Sequence, residues 1–184
     1  MRAHNEDNGQ KHANRDTRLR SALAPLDGRY DFVLIDTGPQ FTTVLANVLV
    51  YAAEVIVPLD PGVFAVLGLV ELQDTIAEVR EAYRNEDLHL AGLVLTKVQR
   101  NNVARDVEAE LRGRFGGRVF RAVVPLSAKV EEAHTRGLTI AEYAPKSSAA
   151  LAYEDLVGEI IDHGRTKERG GAGAGAGPGT GHAA

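Results

Sequence analysis

The chain has 184 residues, of which 44% are hydrophobic and 25% charged, and its formal net charge is −4 at pH 7. This composition is typical of one globular domain, and it argues against a protein that binds nucleic acid through overall positive charge. The lack of cysteine excludes disulfides, thiolate metal sites and cysteine nucleophiles.

Composition divides the chain into three segments. Residues 1–14 are polar and aperiodic, and we expect them to be disordered. Residues 15–165 carry the periodic patterns of an α/β domain, and the Gly/Ala-rich residues 166–184 form a predicted disordered tail. No signal peptide or apolar run of about 20 residues is present, so we expect a cytoplasmic protein without a membrane anchor.

Four apolar runs predict the strands of a parallel sheet. Their side chains are apolar throughout instead of alternating with polar ones, which is typical of strands covered by helices on both faces. The runs are 31–35 (DFVLI), 54–59 (EVIVPL), 89–96 (HLAGLVLT) and 118–126 (RVFRAVVPL).

Helical patterns lie before, between and after these runs. They predict a short helix near 15–26, a buried helix over 41–53, a short helix over 127–134, and three helices with an apolar stripe. The stripes are Leu69, Leu72, Ile76, Val79 and Tyr83; Val103, Val107, Leu111 and Phe115 after a cap at Asn101 or Asn102; and Tyr153, Leu156, Val157 and Ile160 after a cap at Ser147 or Ser148. The alternation predicts a doubly wound, mainly parallel α/β sheet with helices on both faces.

Asp36 directly follows the first apolar run and is followed by Thr37, Gly38 and Pro39. Ligands of doubly wound sheets bind at the carboxyl ends of the strands. A carboxylate in this place is typical of a Walker B strand, where it holds Mg²⁺ at nucleotide phosphates. The alternative is a helix cap or a turn former, which is the more frequent role of an aspartate after a strand.

Several ordered segments resemble the ParA/MinD family of partition ATPases, between about Arg15 and Ile161. They are YDFVLIDTGP, EVIVPLDPGVFAVLGL, GLVLTKVQRNNVARDVEAELRGRFGGRVFRAVVP and KVEEAHTRGLTIAEYAPKSSAALAYEDLVGEI. The resemblance implies a P-loop ATPase fold, ATP and Mg²⁺ as cofactors, and a nucleotide-dependent dimer with itself or a full-length ParA-like protein. It also implies a ParB-like partner and non-specific DNA, and hence association with the nucleoid.

The resemblance also implies roles for single residues. Asp36 matches the Walker B carboxylate, and Thr37, Gly38 and Pro39 match the switch that senses the γ-phosphate. Thr96 and Pro125 match positions near the adenine ring, with ordinary strand ends as the alternative. The basic residues that match DNA-contacting positions are Lys97, Arg100, Arg105 and Lys129, with solvated surface charge as the alternative.

The phosphate-binding loop of the family, K-G-G-x-G-K-[ST], has no match among the 35 residues before Asp36. We therefore expect an N-terminally truncated ParA-like chain, incomplete at the start of its fold, that does not hydrolyse ATP alone. A wrong gene start or a split gene would produce the same sequence. The alternatives in function are a non-catalytic module that binds a full-length ParA or DNA, and a gene remnant.

Overall fold

The computed structural model describes residues 17–38, 42–62 and 65–171, with side chains described outside 65–67 and 165–171. The predicted disordered N-terminus, Pro39 and residues 172–184 lie outside this range. Within it, the last helix continues to Gly171, past the predicted domain end at residue 165. The Thr-Lys-Glu-Arg sequence that follows residue 165 is compatible with a helix, which composition alone did not indicate.

Three strands form one sheet in the order β1-β2-β3. They are β1 (Glu54–Leu59), β2 (His89–Val98) and β3 (Val119–Pro125). β2 and β3 are parallel, with Leu93 paired to Val119 and Val98 to Pro125. Three of the four predicted strands and the parallel α/β class are thus confirmed.

Seven α-helices and two 3₁₀ turns belong to the described residues. The helices are α1 (Arg18–Leu23), α2 (Thr43–Tyr51), α3 (Ala65–Tyr83), α4 (Asn102–Phe115), α5 (Ala128–Thr135), α6 (Ile140–Tyr143) and α7 (Ser148–Gly171), and the 3₁₀ turns are Ala24–Leu26 and Gly116–Arg118.

Asn101 caps α4 by accepting from the Ala104 N–H at 2.8 Å, and Ser147 accepts from the Ala150 N–H at the start of α7 at 3.2 Å. Both predicted caps are confirmed.

The predicted strand 31–35 is wrong, because these residues belong to no strand of the structure. Leu34 is 86% exposed, Tyr30 61% and Phe32 51%. A strand needs a neighbouring chain to pair its backbone N–H and C=O groups, and an apolar sequence does not provide one. The segment therefore lies outside the sheet, without a regular secondary structure.

The chain divides into two compact units, residues 1–57 with 64–92 and residues 58–63 with 93–184. The core of the first unit includes Leu49, Val50, Leu69, Ile76 and Leu88. The core of the second includes Leu93, Leu95, Leu111, Val124 and Leu156.

Two of the predicted helix stripes are partly wrong. Val103 in α4 and Tyr153 and Val157 in α7 are exposed, whereas the adjacent or nearby alanines Ala104, Ala149 and Ala150 are buried. Small side chains let a helix lie close to the sheet, so the buried face is centred on alanines and not on the largest apolar residues. The α3 stripe is confirmed, with Leu69, Ile76 and Val79 buried and its other two members half-buried.

Candidate nucleotide and metal site

Asp36 lies in the first unit, in the irregular segment before α2, with an exposed side chain. Thr37 and Gly38 follow it and are also exposed. The third predicted switch residue, Pro39, lies outside the described residues. The carboxylate of Asp36 is thus accessible to a cation or to another molecule.

An open concavity of about 560 Å³ adjoins Asp36. Its wall combines apolar side chains with a few polar ones, and its lining residues are Arg18, Leu19, Ala22, Ile35, Asp36, Thr43, Val44, Asn47 and Val48. The surface is formed by α1, α2 and the segment that carries Asp36. A ligand in it would meet one carboxylate, one guanidinium and an uncharged amide.

Asn47 holds α1 and α2 together at this concavity. Its Oδ1 accepts from the backbone N–H of Leu19 at 3.2 Å, and its Nδ2 donates to the carbonyl of Thr43 at 2.8 Å. The Arg20 guanidinium adds a 2.7 Å hydrogen bond to the carbonyl of Val50. These bonds satisfy free backbone groups at both helices and fix the wall beside Asp36.

The alternative role of Asp36 as the cap of the following helix is not supported. Thr42 is the N-cap of α2, and its Oγ1 accepts from the Leu45 N–H at 3.5 Å. Asp36 lies six residues earlier in the chain. An aspartate that does not cap the helix is available for another role.

The described residues provide only part of what a nucleotide-bound Mg²⁺ requires. Mg²⁺ takes one or two carboxylates together with waters and substrate phosphates, so a single Asp36 is compatible with it. Among the described side chains, no group of three or more acidic residues and histidines is placed to hold a metal. A triphosphate also needs backbone N–H groups and a lysine around it, and no described residues near Asp36 form such a cradle. Over the ranges that the structure describes, Asp36 is therefore compatible with one ligand of a metal ion, and the groups that a triphosphate requires are not found around it.

Thr96 and Pro125 belong to the second unit, at the carboxyl ends of adjacent strands. Thr96 is half-buried, and its hydroxyl lies 3.4 Å from the carbonyl of Leu59. Pro125 ends β3 opposite Val98, and the next residue, Leu126, donates its N–H to the Val98 carbonyl at 3.0 Å. The two residues predicted near the adenine ring thus lie at the same edge of the sheet.

The four basic residues predicted to contact DNA are all exposed in the second unit. Lys97 has a backbone φ of 54°, in the left-handed region that a lysine seldom adopts. Arg100 and Arg105 line one shallow concavity at the start of α4, together with Asn101 and Asn102. Lys129 lies in the first turn of α5. The loop after β2 and the first turn of α4 thus contribute one arginine each to the same concavity, close in sequence to Lys97.

The concavity beside Asp36 contains polar residues that were missed from the sequence. The sequence pattern predicts a buried helix around Asn47 and indicates no role for Arg18 or Thr43. A polar amide among the apolar residues of VLANVLV was the available indication for Asn47.

Comparisons with known proteins show which family and fold the chain resembles. A family model described as an AAA domain matches residues 3–90, and the match begins upstream of Arg15. The chromosome-partitioning ATPase Soj of Thermus thermophilus is 40% identical over 146 residues, which cover 79% of this chain and 57% of that protein. The chromosome partitioning protein ParA of Caulobacter vibrioides is 36% identical over 159 residues, covering 85% of this chain and 59% of that protein.

A solved structure of cobyrinic acid a,c-diamide synthase from Mycobacterium smegmatis, with a bound ATP analog and magnesium, has the same fold. The TM-score is 0.68 at 30% identity, over 86% of this chain and 58% of that one. This chain belongs to the ParA/MinD-type family.

The chain spans somewhat less than three fifths of the length of the ParA and Soj relatives. As a ParA/MinD-type protein it has the α/β fold with a parallel sheet that the sequence predicts. No helix in the described part of the chain is long and apolar enough to cross a membrane.

Proposed function

We propose that this chain is a ParA-like protein of plasmid or chromosome partitioning that carries the metal-ligand half of an ATPase site and does not hydrolyse ATP alone. The observation that carries the proposal is the match of 36–40% identity to proteins named for chromosome partitioning. Its setting would be the cytoplasm, at the nucleoid. Its partners would be a ParB-like protein, DNA, and a second copy or a full-length ParA-like protein.

The expected lack of turnover follows from the electrostatics of phosphoryl transfer. Catalysis of this reaction consists mainly of neutralising and positioning the phosphates. Asp36 would organise Mg²⁺, and Thr37 and Gly38 would lie beside the γ-phosphate. A metal ligand without N–H donors and a lysine around the phosphates leaves most of the transition-state charge uncompensated.

Two measurements on the purified 184-residue chain test this proposal. The first is Mg²⁺-dependent ATP turnover, which we expect to be at the background rate; robust turnover would overturn the proposal. The second is equilibrium binding of labelled ATP with Mg²⁺, compared with the isosteric variant Asp36→Asn. Micromolar binding that is weakened in the variant supports a nucleotide-linked role, whereas no binding favours the non-catalytic module.

The second candidate function is non-specific DNA binding by the second unit. Lys97, Arg100 and Arg105 are exposed and belong to one stretch from the end of β2 into α4, and Lys129 begins α5. Binding through phosphates needs only positive charge on one surface, and a net charge of −4 for the whole chain permits a local basic patch.

A matched set of charge deletions tests this candidate. Arg100→Ala and Arg105→Ala combined should weaken binding to random duplex DNA about tenfold at low salt, and should reduce the salt dependence. The control is Arg114→Ala with Arg118→Ala, since both arginines are exposed in the same unit but lie at the opposite end of α4. Equal effects of the two sets would argue against a specific DNA-contacting surface.

A further inference from the structure

Helix α4 has an exposed face on which acidic residues come first and a basic residue follows. Asp106 and Glu110 lie along the middle of the helix, and Arg114 lies in its last turn. At about 100° of rotation per residue, these three positions fall within one sector of the helix. Gly113 belongs to the same sector, and all four residues are exposed. The face therefore has an acidic half and a basic half.

The charges of this face are not compensated within the described chain. Glu110 and Arg114 have the spacing of an ion pair within a helix, but the structure forms none between them. The neighbouring Arg112 differs, because it pairs with Glu108 at 2.8 Å. The helix dipole favours a basic residue in the last turn, but it does not account for the acidic ones, since the first turn contains none. These charges are therefore available to a second molecule.

Gly113 has no evident role inside the folded chain. Glycine lowers the stability of a helix relative to alanine. The backbone of Gly113 is not in the left-handed region that favours glycine, and a Cβ atom on it would meet no other atom within 4 Å. An exposed glycine that neither turns the chain nor makes room for a neighbour within it fits the close approach of another backbone.

We propose that α4 packs antiparallel against α4 of a second copy, with the two-fold axis close to Gly113, and that this homodimer forms without nucleotide. At a rise of about 1.5 Å per residue, Glu110 of each copy comes level with Arg114 of the other, which gives two ion pairs. Asp106 of each copy comes level with the 3₁₀ turn that carries the exposed Arg118. The two glycines lie at the crossing point, where the lack of side chains lets the helices approach.

The charge pattern specifies this register. With the axis one turn earlier, Glu110 would face Glu110 of the second copy. With the axis one turn later, Arg114 would face Arg114, and like charges facing each other are destabilising. The face contains none of the residues predicted to bind nucleotide or DNA, so the proposal does not rest on the proposed function.

Sedimentation equilibrium of the full chain without nucleotide tests the proposal. A contact of one helix per copy is smaller than a standard interface, so the concentration series extends to about 1 mM. Wild type should form a dimer that weakens as salt is added, because salt screens exposed ion pairs. Glu110→Arg and Arg114→Glu should each weaken the dimer about tenfold, since each replaces two opposite-charge contacts with two like-charge contacts.

Mixing the two variants tests the pairing itself. An equimolar mixture of Glu110→Arg and Arg114→Glu chains should associate as a heterodimer in which both ion pairs are restored, and the double variant should dimerise like wild type. The proposal would be overturned by a wild type that stays monomeric throughout the series, by single variants that associate like wild type, or by a mixture that associates no better than its components. Circular dichroism checks the fold, and we expect unchanged spectra because both positions are exposed.

Gly113→Ala provides a second test, which does not depend on the charge variants. On dilute protein, the variant should unfold at a higher urea concentration than wild type, because alanine favours the helix and its methyl group meets open space within the chain. It should nevertheless weaken the dimer about fivefold or more, because two methyl groups would meet where the helices cross.

The matched control is Gly158→Ala in α7. Gly158 is also exposed, and a Cβ atom on it would likewise meet no atom within 4 Å. This variant should gain stability against urea without any change in association. If Gly113→Ala and Gly158→Ala both associated like wild type, the close approach of the two α4 helices would be contradicted.

Discussion

The carboxylate of Glu159 in α7 accepts a 2.7 Å hydrogen bond from the backbone N–H of Ala122 in β3. Its other oxygen accepts from the backbone N–H of Arg121 at 2.8 Å. β2 and β3 pair at Leu93–Val119 and again at Leu95–Val123, which is two residues further along β2 but four further along β3. The Arg121 and Ala122 N–H groups therefore lie where the hydrogen bonding between β2 and β3 is irregular. β3 is last in the strand order, and Glu159 therefore closes a stretch of edge strand that would otherwise offer free donors.

Glu159→Gln should lower the free energy of unfolding by about 1–3 kcal/mol. The substitution keeps the side-chain volume but replaces one accepting oxygen with an NH₂ group. That group would face the N–H of Arg121 or Ala122, so one backbone donor would lose its acceptor. Urea denaturation followed by circular dichroism measures the change. Glu154→Gln is the matched control, since Glu154 is exposed on the same helix, and its effect should be within about 0.5 kcal/mol.

The same contact predicts a pH dependence. Burial acts to raise the pKa of Glu159, but the hydrogen bonds from the Arg121 and Ala122 N–H groups outweigh it and leave the pKa below its usual value. A carboxyl whose pKa is lower in the folded state stabilises the fold fully above its unfolded pKa, about 4.3, and loses this contribution as pH falls through the folded pKa. The difference in unfolding free energy between wild type and Glu159→Gln should therefore be constant from pH 6 to 7 and shrink below about pH 4. A difference that grows on acidification would contradict this assignment.

The fold was predictable where a local pattern was sufficient. β1 has the predicted bounds, and the caps at Asn101 and Ser147 follow from side chains that accept hydrogen bonds from N–H groups at helix starts. The segment 31–35 has an equally apolar sequence but is not a strand, because strand formation depends on a partner elsewhere. The role of Glu159 depends on the register of β3, which no local pattern reveals.

The candidate site was predictable only as positions along the chain. The place of Asp36 after an apolar run predicts a carboxylate that holds Mg²⁺, which stays a prediction, and the structure leaves that side chain exposed. The side chains beside it, Arg18 and Asn47, come from helices before and after it in the chain, so their proximity depends on packing. The short helix α6 was missed although Thr139 and Glu142 form a capping box with the T-x-x-E spacing that predicts one.

Asn85 supports a further prediction, because its buried amide closes the end of α2. The side chain is 8% exposed, and its Nδ2 lies 2.9 Å from the Leu49 carbonyl and 2.8 Å from the Ala52 carbonyl, with Val50 at 3.3 Å. Asn85→Asp is nearly isosteric but places a carboxylate against carbonyl oxygens. We expect a loss of about 2–4 kcal/mol in the free energy of unfolding at pH 7.

Hydrogen exchange should locate this effect at the C-terminal turn of α2, where the carbonyl acceptors lie. The control is Asn102→Asp, because the exposed Asn102 side chain acts as an acceptor toward Arg105 and aspartate keeps that role. If both variants were equally stable, the amide of Asn85 would not be the group that fixes this helix end.

Leu34 provides a direct test of the unpaired segment. Leu34→Ser should change the free energy of unfolding by less than about 0.5 kcal/mol, because the side chain is 86% exposed in the folded chain. Leu93→Ala is the contrasting variant: Leu93 is fully buried in β2, and its truncation should cost about 2–5 kcal/mol. Urea denaturation followed by circular dichroism measures both changes. A loss for Leu34→Ser as large as that for Leu93→Ala would show that the segment is buried within the chain, and would restore the strand that the sequence predicts.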